Sequence, residues 1–128
     1  VYTFAMQFNL HGITTVLGQD GWAWIDNSGE VVAIPFIFDN FPDYFADGLA
    51  RVVENGRMGY MNNRGRMAIP ATFAFAMPFA NGLAEVCMGC IPQPEGEYTR
   101  MVGGEWGCID TTGHYTVPLS PGRKTCSE

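Results

Sequence analysis

An all-β fold of three tandem repeats, each a meander of about three short antiparallel strands, is predicted for this chain by three observations. First, the segment GLARVVENGRMGYMNNRGRMAIP, Gly48 to Pro70, recurs in degenerate form. One copy is GITTVLGQDGWAWIDNSGEVVAIP, Gly12 to Pro35; the other is GLAEV, Gly82 to Val86, continued after an insertion by EWGCIDTTGHYTVP, Glu105 to Pro118. Second, within each copy small and branched residues alternate with the others at period two, as Ala50 and Val52 do with Leu49, Arg51 and Val53. Third, 16 Gly and 8 Pro in 128 residues punctuate the chain too often for a stable helix.

The repeat is phased by YTFAMQF, Tyr2 to Phe8, which matches FAFAMPF, Phe73 to Phe79, position for position in class. The units then run 1–35, 36–70 and 71–118, with a tail 119–128, and the extra length of the third unit lies between Cys87 and Gly104. Each unit reads as an aromatic loop followed by three strands. The first strand follows Gly12, Gly48 or Gly82. The second is WAWID, MGYMN or WGCID, which puts Trp22 with Trp24, Met58 with Tyr60, and Trp106 with Cys108 on one face. The third, EVVAIP, RMAIP or HYTVP, is expected to end at Pro35, Pro70 or Pro118, because proline cannot donate to a ladder.

Between the second and third strands lie DNSG, NNRG and DTTG. Asp26, Asn62 and Asp110 can each accept bonds from the backbone two residues on. Gly29, Gly65 and Gly113 supply the left-handed residue of a type I turn with a G1 bulge. These residues are therefore assigned to hairpin turns rather than to metal ligation. The loop residues Phe8, Phe45 and Phe79, together with Trp22 and Trp106, are assigned to packing between repeats, since one unit cannot bury its own apolar face. Stacking on a ligand is the competing role.

The unit resembles the bacterial WG repeat, whose pattern is approximately WGYID, a Gly, a branched strand ending in IP, an aromatic loop, and F-x-x-GLA-x-V. Glu105 to Pro118 and Phe79 to Val86 carry the resemblance best, and it extends over nearly all of residues 1–118. Met58 stands where the pattern has Trp, Ala23 where it has Gly, and Ile13 and Thr14 where it has Leu-Ala. The resemblance implies a β-rich repeat module presumed to mediate interactions; it implies no reaction and no catalytic residues.

A net charge of -6 with a single Lys argues against nucleic acid and anionic membranes as partners, which reward clustered Lys and Arg. No apolar run approaches the roughly 18 residues of a membrane span. The chain begins with Val1 rather than Met, so it starts either at a processed terminus or within a longer protein, and no basic n-region precedes an apolar stretch.

Four cysteines leave several chemistries open. Cys87 and Cys90 form the one CxxC, with Cys108 and Cys126 isolated. Two disulfides, Cys87 with Cys90 and Cys108 with Cys126, are the favoured arrangement among three pairings, and they point to an exported, periplasmic or extracellular, location. A four-thiolate zinc site, a redox pair and free thiols are the alternatives. His11 and His114 fall at turn or strand-entry positions suited to solvated side chains, and Ser28, Ser120 and Ser127 have no nucleophile signature. Asp39, Asp43, Asp47 and Glu54 make the second unit's loop acidic without the spacing of an EF-hand, so they are expected to form a solvated surface.

The expected function is a non-catalytic module that associates with a protein partner or with copies of itself through the uncapped ends of an open array, with no cofactor. Closure with approximate three-fold symmetry is the architectural alternative. The functional alternative is a metal or enzymatic site in the 87–104 insertion, built from Cys87, Cys90, Glu95, Glu97 and His114.

Overall fold

The computed structural model describes residues 4–5, 11–38 and 41–127. It is all-β, without a helix among these residues, and every strand pairing is antiparallel. The first unit contributes β1 (Phe4–Ala5), β2 (Ile13–Gly18), β3 (Gly21–Asp26) and β4 (Val31–Pro35). The second contributes β5 (Ile37–Phe38), β6 (Phe41–Pro42), β7 (Leu49–Glu54), β8 (Arg57–Asn62) and β9 (Met67–Phe73). The third contributes β10 (Phe75–Ala76), β11 (Leu83–Met88), β12 (Ile91–Glu95), β13 (Tyr98–Val102), β14 (Glu105–Asp110) and β15 (Tyr115–Pro121).

Nine of these strands are the expected meanders. The rest arise where loops were expected. Two-residue strands form in the aromatic loops, and the insertion of the third unit is a hairpin, β12–β13, rather than an irregular loop. Pro92 and Pro94 do not prevent this. They sit at alternate positions, opposite Met101 and Thr99, where a strand with one free edge needs no donor.

The array is open. One sheet has the order β1-β2-β3-β4-β7-β8-β9 and the other β10-β11-β14-β15, with β12–β13 and β5–β6 as separate two-stranded ladders. The first two units are therefore joined by hydrogen bonds across β4 and β7. The second and third are joined by side chains, through a buried cluster that includes Tyr60, Ile69, Phe73, Phe79, Val86 and Ile109.

The hairpin turns account for the meanders locally. Asp26 Oδ1 accepts from the backbone N–H groups of Ser28 (2.9 Å) and Glu30 (3.1 Å), and Asp110 Oδ1 from those of Thr112 (2.9 Å) and His114 (3.1 Å). Asn62 Oδ1 does the same for Arg64 and Arg66. Gly29, Gly65 and Gly113 follow at φ of 88°, 81° and 89°, and the one-residue shift between Trp24 and Ile25 marks the bulge. Hydroxyl bonds from Ser28 and Thr112, reinforced by the backbone donors, hold the Asp26 and Asp110 carboxyls below the usual carboxylate range.

The prolines depart from expectation. Pro35 ends β4, but β9 continues through Pro70 to Phe73 and β15 through Pro118 to Pro121. Both strands lie at the edge of a sheet, and in both the proline falls in a register break, between the Tyr60–Ile69 and Met58–Phe73 pairs and between the Cys108–Val117 and Trp106–Ser120 pairs. The break folds over the Gly of the second strand. A Cβ at Gly59 would lie 2.5 Å from the Ile69 carbonyl oxygen, and one at Gly107 would lie 2.6 Å from that of Val117. In the first unit this position is Ala23, whose methyl leaves no room for such a bulge. There β4 leaves β3 after Ala33 and pairs with β7 instead, and the residues thereby released form the β5–β6 excursion.

Candidate functional site

One position, the third after each unit's Gly, is buried in all three units and carries the array's polar interior: Thr15, Arg51 and Glu85. Arg51 Nε and Nη2 donate to the two oxygens of Asp43 at 2.7 and 2.8 Å, Nη1 donates to the Ala76 carbonyl of the next unit at 3.2 Å, and the guanidinium lies 4.5 Å over the Phe36 ring. Asp43 is thus not part of a solvated acidic surface. Burying Arg51 requires a paired carboxylate, and Asp43 is the one within reach. Asp47 likewise accepts from the Gly82 N–H at 2.9 Å, across the boundary between the second and third units. Glu54 is exposed as expected, and Asp39 lies outside the described residues. In the first unit Thr15 Oγ1 and its cross-strand neighbour Trp24 Nε1 are buried without a partner among the described residues.

Glu85 reverses the polarity. Its carboxylate accepts from Arg123 Nη2 (2.6 Å), Arg123 Nε (2.9 Å) and the backbone N–H of Lys124 (2.7 Å), while Arg123 lies 4.4 Å over the Trp106 ring. The tail, residues 119–127, is folded back onto the third unit through these bonds and through a Cys108–Cys126 disulfide. Burial pushes the Glu85 carboxyl up, but the bonds from Arg123 and Lys124 outweigh it and hold the group below its ordinary value of 4.5. A carboxylate depressed by folding stabilises the fold above its unfolded pKa, and that contribution disappears as pH falls through the folded value. Acidification below about pH 4.5 should therefore loosen Arg123 from Trp106, with the tail still tethered at Cys126. Trp106 fluorescence should report the change and Glu85→Gln should abolish it; an acid transition of equal size in the variant would contradict the assignment.

Cys87 pairs with Cys90, Cα atoms 6.1 Å apart, and Cys108 with Cys126, 5.7 Å apart. Trp106 packs on the first pair. The other members of its apolar cluster, Cys87, Cys90, Ala74, Phe75 and Met101, belong to its own unit, and Arg123 of the tail covers its ring, so it seals the third unit rather than a junction between repeats. The insertion contributes to this seal, because the β12–β13 hairpin supplies Met101 to the cluster. The other aromatics do lie at junctions. Trp22 is 6.0 Å from Phe41, Phe45 is half-buried 4.9 Å from Trp24, and Phe79 is buried 4.7 Å from Tyr60. Phe8 lies outside the described residues.

The residues of the metal or enzymatic alternative have separate engagements. Cys87 and Cys90 are bonded to each other, Glu95 pairs with Arg100, His114 Nδ1 is 2.8 Å from the Thr112 hydroxyl, and Glu97 is exposed. Among the described residues no three His, Cys, Asp or Glu side chains form a metal-binding group. What sequence reasoning missed is an apolar trough of ≈490 Å³ beside the insertion hairpin, walled by Phe36, Phe38, Met58, Phe75, Tyr98 and Met101. Phe38 and Tyr98, at its mouth, are 68% and 76% exposed. The one sequence signal for it was Tyr98, an aromatic in the insertion and so outside the repeat pattern.

No curated protein and no solved structure matches the chain. The model of the WG containing repeat matches residues 22–57 and 58–89. Each match starts on a second strand, at Trp22 or Met58, and runs through the first strand of the following unit, so the family's unit includes the junction at which Phe45 or Phe79 packs. With more than half of its length covered by two adjacent copies, the chain belongs to the WG-containing repeat family.

Proposed function

We propose that the chain is a non-catalytic β-repeat module that works by association with a protein partner or with copies of itself, in an oxidising compartment outside the cytosol. The observation that carries this reading is where the exposed aromatic rings sit. Among the described residues Phe38, Phe41, Tyr44 and Tyr98 are the large aromatics most open to solvent, and all lie on the β5–β6 excursion, in the loop that follows it, or on β13, outside the strands that the repeats share. Concentrated apolar exposure on segments that the fold does not need for its own core is the mark of a contact surface. Edge strands at the ends of both sheets offer a further route to pairing. The two disulfides support the oxidising compartment. Among the described residues no helix is long and apolar enough to cross a membrane.

Light scattering and electron microscopy over a concentration series, with affinity capture from an extracellular fraction, test the proposal. Oligomers or a stoichiometric partner are expected, and Tyr44→Ser, at a ring 82% exposed, should reduce them without moving the unfolding midpoint. A strict monomer at every concentration that captures nothing would contradict it.

A further inference from the structure

We infer that the trough beside the insertion hairpin takes an extended, acidic peptide segment with bulky apolar side chains, which adds as a strand to the free edge of β13. This inference rests on the association reading and names the partner's chemistry.

The backbone argument comes from the prolines. β12 and β13 form a two-stranded ladder, so the second edge of β13 is unpaired. Pro92 faces Met101 and Pro94 faces Thr99. Because proline has no N–H, the bonds between the strands run through the intervening pairs, Ile91 with Val102, Gln93 with Arg100, and Glu95 with Tyr98. The alternation of an antiparallel strand then turns the N–H and C=O groups of Thr99 and Met101 to the free side. Both residues line the trough. An incoming strand therefore meets a row of unsatisfied backbone groups and, beside it, an apolar cavity for its alternate side chains, which is how β-augmentation combines affinity with specificity.

Charge chooses the occupant. The chain carries 13 acidic and 7 basic residues, yet the trough and the hollows that continue it are bordered by Arg57 at one end and by Arg100 and Arg123 at the other. Glu95 in this lining pairs with Arg100 at 2.6 Å and the buried Glu85 behind it pairs with Arg123 at 2.6 Å, so three guanidiniums face two carboxylates and the border keeps a net positive charge, centred on Arg57. A locally basic border on an acidic protein favours an acidic segment and repels the same border of a second copy.

Selection of displayed random peptides on the intact, oxidised chain is the test. Enrichment of acidic peptides with alternating aromatic or branched residues is expected. Thr99→Pro deletes an outward N–H by the device that β12 already uses. It should weaken a synthetic selected peptide by about tenfold or more, the equivalent of one well-made bond, with an unchanged circular dichroism spectrum. Arg100→Glu, at an exposed position, should weaken it comparably and decides the matter if Thr99→Pro does not fold. Lysine in place of the peptide's acidic residues should abolish binding. The inference is overturned by any of four results: no enrichment, enrichment of basic peptides, equal binding by wild type and Arg100→Glu, or self-association of the wild type that Thr99→Pro removes. Retention of a captured partner by Thr99→Pro would leave the association reading standing and the trough without a role in it.

Discussion

Replacing Phe79 with alanine is expected to lower folding stability by about 3 to 5 kcal/mol, the range for deleting a buried aromatic ring and leaving its cavity. Only 4% of Phe79 is exposed, and its ring meets Tyr60 edge-on with centroids 4.7 Å apart. The position is critical because no ladder joins the second and third units. Their junction depends on the shared apolar cluster and on a few side-chain bonds to backbone: Tyr60 Oη donates to Met77 O at 2.6 Å, Arg51 Nη1 to Ala76 O, and the Gly82 N–H to Asp47. Burial holds the Tyr60 hydroxyl protonated well above the ordinary range, so it remains a donor. A cavity beneath Tyr60 loosens that bond as well as the packing. Chemical denaturation should show the lowered midpoint, and Phe45→Ala, at a half-buried ring whose junction is also held by the β4–β7 ladder, should cost less. An unchanged midpoint for Phe79→Ala would mean that the third unit docks by other means.

The repeat and its turns were legible in the sequence because their determinants are local. An Asp or Asn followed by Gly three residues later, set between two strand-like runs, favours a turn through its own bonds, and the three turns expected on that ground form. The Cys108–Cys126 pair was legible for a related reason, since Cys108 takes the place of an inward aromatic and the tail holds the one cysteine left for it. Three features were not legible. Asp43 reads as one of several loop acids, and only the fold shows that it is the partner of a buried Arg51. Trp106 reads as a repeat aromatic, and only the return of the insertion as a hairpin shows that it is sealed within its own unit. The trough is formed by residues from β8, β10 and β13 and the segments beside them, brought together by the docking of two units. No short-range pattern records such a meeting.

The difference between Ala23 and the two matching glycines leads to the other large effect. Gly59→Ala should destabilise the chain by about 3 kcal/mol, the upper part of the usual range for overpacking. Ordinarily such a change in a strand restrains the unfolded chain and helps by about 0.4 to 1 kcal/mol. Here the new methyl would sit 2.5 Å from Ile69 O and 2.7 Å from both Ala71 N and Ala71 Cα. All three are backbone atoms of β9, so no rotamer change relieves the clash. β9 would have to give up its bulge, and with it the Met58–Phe73 pair and the seat of Phe73 in the core between the second and third units. Gly107→Ala should act in the same way against Val117 O. Ala23→Gly is the control, because β4 makes no bulge opposite that position, and it should change stability by less than about 1 kcal/mol. Unfolding midpoints of the three variants check the argument. A Gly59→Ala variant as stable as the parent would show that the second strand's glycine is not what admits the bulge of the third, and the divergent path of β4 in the first unit would then need another cause.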